Sequence, residues 1–176
     1  MTDAPGGAPE LDLAGRVRAF LAAHSTMVLA TAGEPGPWAA PLFYALADDP
    51  ELGLLFVSNA ASRHGRDLAA RPAAAAAIAA QHEHWRTIRG AQLEGDVEAL
   101  VGERRLDALH TLVERFPWLT GMAASSDEQE RRIAARLTDS TIYRLRVCRA
   151  LLIDNEQAFG GREELVIRPA GPTASA

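Results

Sequence analysis

The chain has 176 residues and a mass of 18.8 kDa, the size of one domain whose core can form without a structural metal or disulfide. A net charge of −5, a pI near 5.5 and no apolar run approaching the ~18–20 residues of a bilayer span argue against nucleic acid or membrane as a partner. All 18 basic residues are arginine, which excludes a Schiff-base lysine and a Walker A lysine and leaves any bound phosphate to arginine, histidine, hydroxyls and backbone amides.

The Pro/Gly-rich stretches 1–9 and 169–176 lack apolar periodicity and are expected to be flexible tails around a single domain over 10–168. The first ten residues carry no basic segment followed by an apolar one, so the expected location is the cytoplasm. Leu13, Val17, Phe20 and Leu21 recur at helical spacing and predict an amphipathic helix ending near His24. Strands are expected over Thr26–Thr31, Trp38–Leu46 and Leu52–Ser58, separated by Gly33-Glu-Pro-Gly-Pro37 and Asp48-Asp-Pro50, which together read as a β-meander.

Ser62 is a good N-cap for a short helix that Pro72 stops. Propensity alone makes Ala73–Ala80 helical, yet Pro72 and the need of the strand Thr87–Leu100 for an antiparallel neighbour predict a strand there. Leu106, Leu109, Leu112, Val113 and Phe116 mark a helix ended by Pro117, and Asp127 caps another running to Leu137. Strand patterns over Ser140–Ile153 and Glu164–Ile167 close the chain. Six or seven antiparallel strands with three or four helices fit a mainly β (α+β) closed or partly closed barrel with peripheral helices.

The stretch from Ser58 to Arg66 is the richest in chemistry, because it puts two hydroxyls, an arginine and a histidine at a helix start. Amide groups there, with an arginine, can hold a phosphate. The same residues can equally be a capped surface helix with solvated charges.

In order along the chain, Val28-Leu-Ala-Thr-Ala, Pro37-Trp-Ala-Ala-Pro-Leu-Phe-Tyr44, Leu55-Phe-Val-Ser-Asn59, Ser62-Arg-His64, Ile88-Arg-Gly-Ala-Gln-Leu-Glu-Gly95 and Arg115-Phe-Pro117 resemble the FMN-binding split barrels related to pyridoxamine 5′-phosphate oxidase. The resemblance is nearest to a small bacterial branch with Ser/Thr-Arg-His in the phosphate loop and a late Asp-Asn…Phe-Gly, here Asp154-Asn155 and Phe159-Gly160. It implies a homodimer of six-stranded antiparallel split β-barrels with FMN at the subunit interface. It also implies that Val57, Ser58, Asn59, Ser62, Arg63 and His64 form the phosphate loop, that Ala39, Ala40 and Pro41 run beside the flavin ring, and that Arg89 and Gln92 face the cleft. Phe159 and Gly160 would come from the other subunit.

Two departures stand out: His64 replaces the lysine of typical members, and no match to the substrate-binding C-terminal segment of true pyridoxamine 5′-phosphate oxidases follows Ile153. That activity is therefore not expected. The resemblance implies instead a flavin-dependent oxidoreductase acting on a small molecule; the alternatives are a non-catalytic flavin- or haem-binding module, or a reductase using the deazaflavin F420.

Elsewhere, His82-Glu-His84 has a metal-ligand spacing without an evident third ligand and reads as solvated loop histidines, so no metal is expected. Cys148 reads as buried and inert, and Trp118 as either core or flavin-facing. Asp139 and Asp154 are acids whose separation the sequence does not fix. No Ser-His-Asp or Cys-His relay is evident, which suits chemistry carried by a cofactor.

Overall fold

The computed structural model describes residues 11–167, so both expected tails lie outside the described residues. Helix α1 (Leu13–Ala23) is capped by Asp12, whose side chain accepts from the Gly15 amide, and turns Val17, Phe20 and Leu21 into the core. Strands β1 (Thr26–Gly33) and β2 (Gly36–Phe43) form a hairpin. They are followed by β3 (Ala45–Leu46), β4 (Gly53–Ser58), helix α2 (Arg63–Ala70), β5 (Ala73–Ala79) and β6 (Arg89–Ala99). Helices α3 (Gly102–Arg115), α4 (Trp118–Ala123) and α5 (Glu128–Thr138) then precede β7 (Thr141–Asp154) and β8 (Arg162–Val166).

Every strand pair is antiparallel, in the order β2-β1-β5-β6-β7-β4-β3, with β8 added alongside β7. The curled sheet is a split barrel: six strands have six or more residues, and β3 and β8 are shorter. Its interior is lined by Met27, Leu29, Leu54, Phe56, Ile78, Leu93 and Leu145, with α1 across it. Helix α3 packs Ala108 and Leu112 on the other side of β4, against Leu55 and Ile142.

The expected meander forms only in part: β1 pairs with β2, and the short β3 with β4. The strand expected over Trp38–Leu46 breaks at Tyr44, and β4 pairs along its length with β7 instead of with β2. Tyr44 is the pivot: fully buried, it donates its backbone N–H to Ser25 O and its hydroxyl to Leu21 O at 2.7 Å. Those two bonds carry the chain from one half of the sheet to the other, and burial raises the phenol pKa.

The polyalanine segment is a strand despite its helix propensity. Ala76 and Ile78 face the core, Ala73, Ala75, Ala77 and Ala79 face out, and the β1 and β6 ladders fix the backbone on both sides. Tertiary pairing overrides propensity.

Cys148 is exposed, against expectation. Glu94 pairs with Arg149 and Gly95 with Val147, so Cys148 is the extra residue of a β-bulge, and its thiol donates to Glu94 O.

Candidate cofactor site

Helix α2 begins where β4 ends, and its cap is the one expected: Ser62 Oγ accepts from Gly65 N at 3.1 Å. The connecting loop is pressed against the helix, since a Cβ at Gly65 would stand 2.5 Å from Ala60 O. Asn59 Oδ1 tightens the loop by accepting from Ala61 N at 2.7 Å. The first-turn amides of Arg63 and His64 donate to no partner among the described residues, which leaves them for a ligand.

Arg63 is held from the other side by β2. Its Nη2 donates to Gly36 O at 2.8 Å, and its guanidinium carbon lies 4.7 Å from the centroid of the Trp38 ring. Its Nε is buried and has no hydrogen-bond partner among the described residues. A fixed guanidinium with an unspent donor beside free amide groups fits an anionic oxygen ligand such as a phosphate.

Beneath this mouth the structure buries two polar pairs. Ser58 Oγ and His64 Nε2 share a hydrogen bond at 2.5 Å, and the residues are 9% and 8% exposed. Thr31 Oγ1 donates to Asp67 Oδ2 at 2.8 Å, joining β1 to α2. Burial pulls the His64 pKa below its ordinary 6.5, partly opposed by the Asp67 carboxylate, so the imidazole is neutral at pH 7. Ser58, His64 and Asp67 superficially form a hydrolytic trio, but Asp67 is bonded to Thr31 and the serine is buried.

The other expected site residues are spread across the sheet. Ala39 and Pro41 face outward on β2 while Ala40 turns into the core. Cross-strand pairing aligns Ala39 with Ala30, Ala75 and Glu94, and Pro41 with Val28, Ala77, Gln92 and Leu151. These rows make an outer face of small, mostly apolar side chains, with a hollow of about 300 Å³ over Val28, Ala75, Ala77 and Gln92. Val57 packs against the cluster under α3.

Arg89 does not join Arg63 within the subunit. It lies five residues along β6 from Glu94, about 17 Å towards the Phe43 end of the sheet, whereas Trp38 lies towards the opposite end. There its Nε is 3.1 Å from the buried Asp154 carboxylate. Asp154 is thus paired with Arg89, and Asp139 is the exposed C-cap of α5.

Phe159, 74% exposed, meets Trp85 edge to face with centroids 4.7 Å apart. Gly160 sits at φ +72°, which a glycine adopts freely, and donates to Asn155 Oδ1 at 3.3 Å. Asn155 Nδ2 in turn donates to Trp85 O at 2.7 Å, so the late Asp-Asn…Phe-Gly motif ties two loops together.

His82 and His84 lie in the loop before β6, and His82 Nε2 accepts from Arg89 N at 3.0 Å. Trp118 is 46% exposed and shares an aromatic cluster with Phe43 and the buried Phe116. No helix among the described residues is long and apolar enough to cross a membrane. Trp38, Gly36, Thr31 and Asp67 escaped the sequence reading. Trp38 and Thr31 stand within the motifs that carry the resemblance, and Asp67 is an acid on the buried side of a short helix.

Comparison with known proteins agrees with this fold. A UPF0306 protein of Photorhabdus laumondii is 33% identical over 101 residues, covering 57% of this chain and 70% of that protein. A haem-binding protein from Mycobacterium smegmatis superposes with a TM-score of 0.69 at 21% identity, over 90% of this chain; the chain spans only 60% of that structure. A FAD-binding protein from Mesorhizobium loti superposes with a TM-score of 0.58 at 17% identity, over 80% of this chain and 92% of that one. At those identities the two structures speak for the fold alone. The family described as pyridoxamine 5′-phosphate oxidase matches residues 13–151, from the first turn of α1 to within three residues of the end of β7 and through the whole of the Arg63 loop, and this chain belongs to it.

Proposed function

We propose that the chain binds FMN and works, as a homodimer, as a flavin-dependent oxidoreductase on a small molecule. The observation that carries the reading is Arg63: fixed by Gly36 O and Trp38, it keeps an unpartnered donor beside the free amides of α2. In a chain of net charge −5 without lysine, a phosphate of about −1.5 to −2 needs such a local positive site. Arg63, the amides of Arg63 and His64, and the Ser62 hydroxyl would hold the phosphate, with the backbone of Ala39–Pro41 alongside the ring.

FMN, when bound, supplies the hydride or electron chemistry. The chain's own part is to fix the phosphate, keep the ring against small side chains and exclude water. The outer rows around Ala30 and Ala77 are exposed and apolar, which suits both a ring and a second subunit. The family membership supports a cofactor of this kind, and the same fold holds haem in one neighbour and FAD in another.

The test is the absorption spectrum of purified protein, alone and after separate incubation with FMN, F420 and haemin. Flavin bands that stay with the protein through gel filtration and bleach with a nicotinamide donor are expected. Retention of haem with a Soret band, and no retention of FMN, would overturn the reading.

A further inference from the structure

We propose that His64 is a positioning residue of the cofactor loop and not a ligand of the phosphate: held by Ser58, its imidazole fixes the first turn of α2 and thereby Arg63. This deepens the FMN reading and rests on it. The family resemblance puts His64 where typical members carry a lysine, which invites the opposite role of a cation facing the phosphate.

The geometry argues against that opposite role. His64 Nε2 is taken by Ser58 Oγ at 2.5 Å, and both residues are buried. The loop runs close against the first turn of α2, where a Cβ at Gly65 would stand 2.5 Å from Ala60 O. The bond ties the last residue of β4 to the second residue of α2, and Arg63 lies between the tied residue and the Ser62 cap.

The charged groups facing His64 are few. On α2 the carboxylate of Asp67 favours protonation, while Arg63 is turned to Gly36 O and Trp38 and Arg66 to Ala61 O. β4 contributes the uncharged Ser58, β1 the hydroxyl of Thr31 already bonded to Asp67, and β2 the Trp38 ring beside Arg63. Burial outweighs Asp67, and the neutral imidazole offers a phosphate dianion no charge.

The two roles predict opposite outcomes for two substitutions. His64→Gln keeps a polar amide near the place of Nε2, and His64→Lys supplies the basic group of typical members. A positioning role predicts FMN affinity within about threefold of wild type for H64Q and a loss of tenfold or more for H64K, whose ammonium must be buried or tear the loop open. It also predicts that wild-type affinity for FMN is steady between pH 8 and 7 and weakens towards pH 6, where the phosphate itself takes up a proton, with a second pKa of about 6. Binding that tightens several-fold from pH 8 to 6 in wild type but not in H64Q, or FMN binding by H64K as tight as wild type, would overturn the proposal.

A second measurement needs no flavin. In a double-mutant cycle of Ser58→Ala and His64→Leu, read by thermal unfolding, the loss in the double variant should be clearly smaller than the sum of the single losses. Additive losses would overturn the Ser58–His64 tie alone. Failure of wild type to bind FMN would overturn the flavin reading and, with it, the role of His64 towards the phosphate.

Discussion

Thr31 Oγ1 donates to Asp67 Oδ2 at 2.8 Å, and this bond between two buried side chains fastens α2 to the inner side of β1. Thr31→Val keeps the shape and removes the donor, leaving a buried carboxylate oxygen without its partner. The expected cost is about 1–3 kcal/mol, or roughly 3–10 °C in Tm for a domain of this size. Thermal melting checks it; Asp67→Asn, whose amide oxygen can still accept from Thr31, should lose less.

His64 links stability to pH. Its folded pKa lies below the ordinary 6.5 of the unfolded chain, so the unfolded state takes up the proton first as pH falls. The contribution is complete above about pH 6.5 and is lost progressively below it, down to the folded value. Urea unfolding of wild type and His64→Gln at pH 7.5 and 5.5 should show the wild-type advantage shrinking at the lower pH. An advantage that grows on acidification would mean a raised pKa and a charged imidazole.

Ala77 sits in the outer row between Val28 and Gln92, where a second subunit is proposed to pack. Ala77→Arg puts a large charge on that face without touching the core, since Ala77 is exposed in the single chain. Light scattering at micromolar concentration should give a dimer mass for wild type and a monomer mass for the variant, with unchanged circular dichroism. A wild-type monomer would remove the dimer from the account.

Arg89 is engaged with buried Asp154, not with the anion site of its own subunit. Arg89→Ala should therefore lower Tm by leaving the Asp154 carboxylate short of a partner, while the preference for FMN over riboflavin stays within about threefold of wild type. A collapse of that preference would put Arg89 on the phosphate.

What the sequence made legible was local. Ser62 as a cap, Pro72 as a stop and the alternation of the strands are properties of a few neighbouring residues, and α2 and β5 appear within a residue of expectation. Even the polyalanine strand was inferable, because its neighbour needed an antiparallel partner. The break at Tyr44 was not, since the residues that turn the chain there, Ser25 and Leu21, lie about twenty positions upstream. Cys148, in a strand after Val147 with no CxxC partner near it, read as buried, but strand alternation and a bulge opposite Glu94 and Gly95 put it outside.

The site was legible in part for the same reason. Arg63 and Ser62 belong to a contiguous motif, whereas Trp38 and Gly36, which fix Arg63, reach it only through the packing of α2 on β2. The orientation of His64 depends on the short loop closing so that its ring meets Ser58. The resemblance placed His64 in the phosphate loop, and the structure buries its imidazole against Ser58.

The central claim is that Arg63 anchors a phosphate-bearing flavin, and titration of wild type and Arg63→Ala with FMN and with riboflavin tests it most directly. Hydrogen bonds to a charged group contribute about 1.5–3 kcal/mol, so Arg63→Ala should weaken FMN binding by about 10- to 150-fold. Riboflavin, which lacks the phosphate, should bind wild type far more weakly than FMN does and be nearly indifferent to the substitution. Equal FMN affinity in the two proteins would contradict the account.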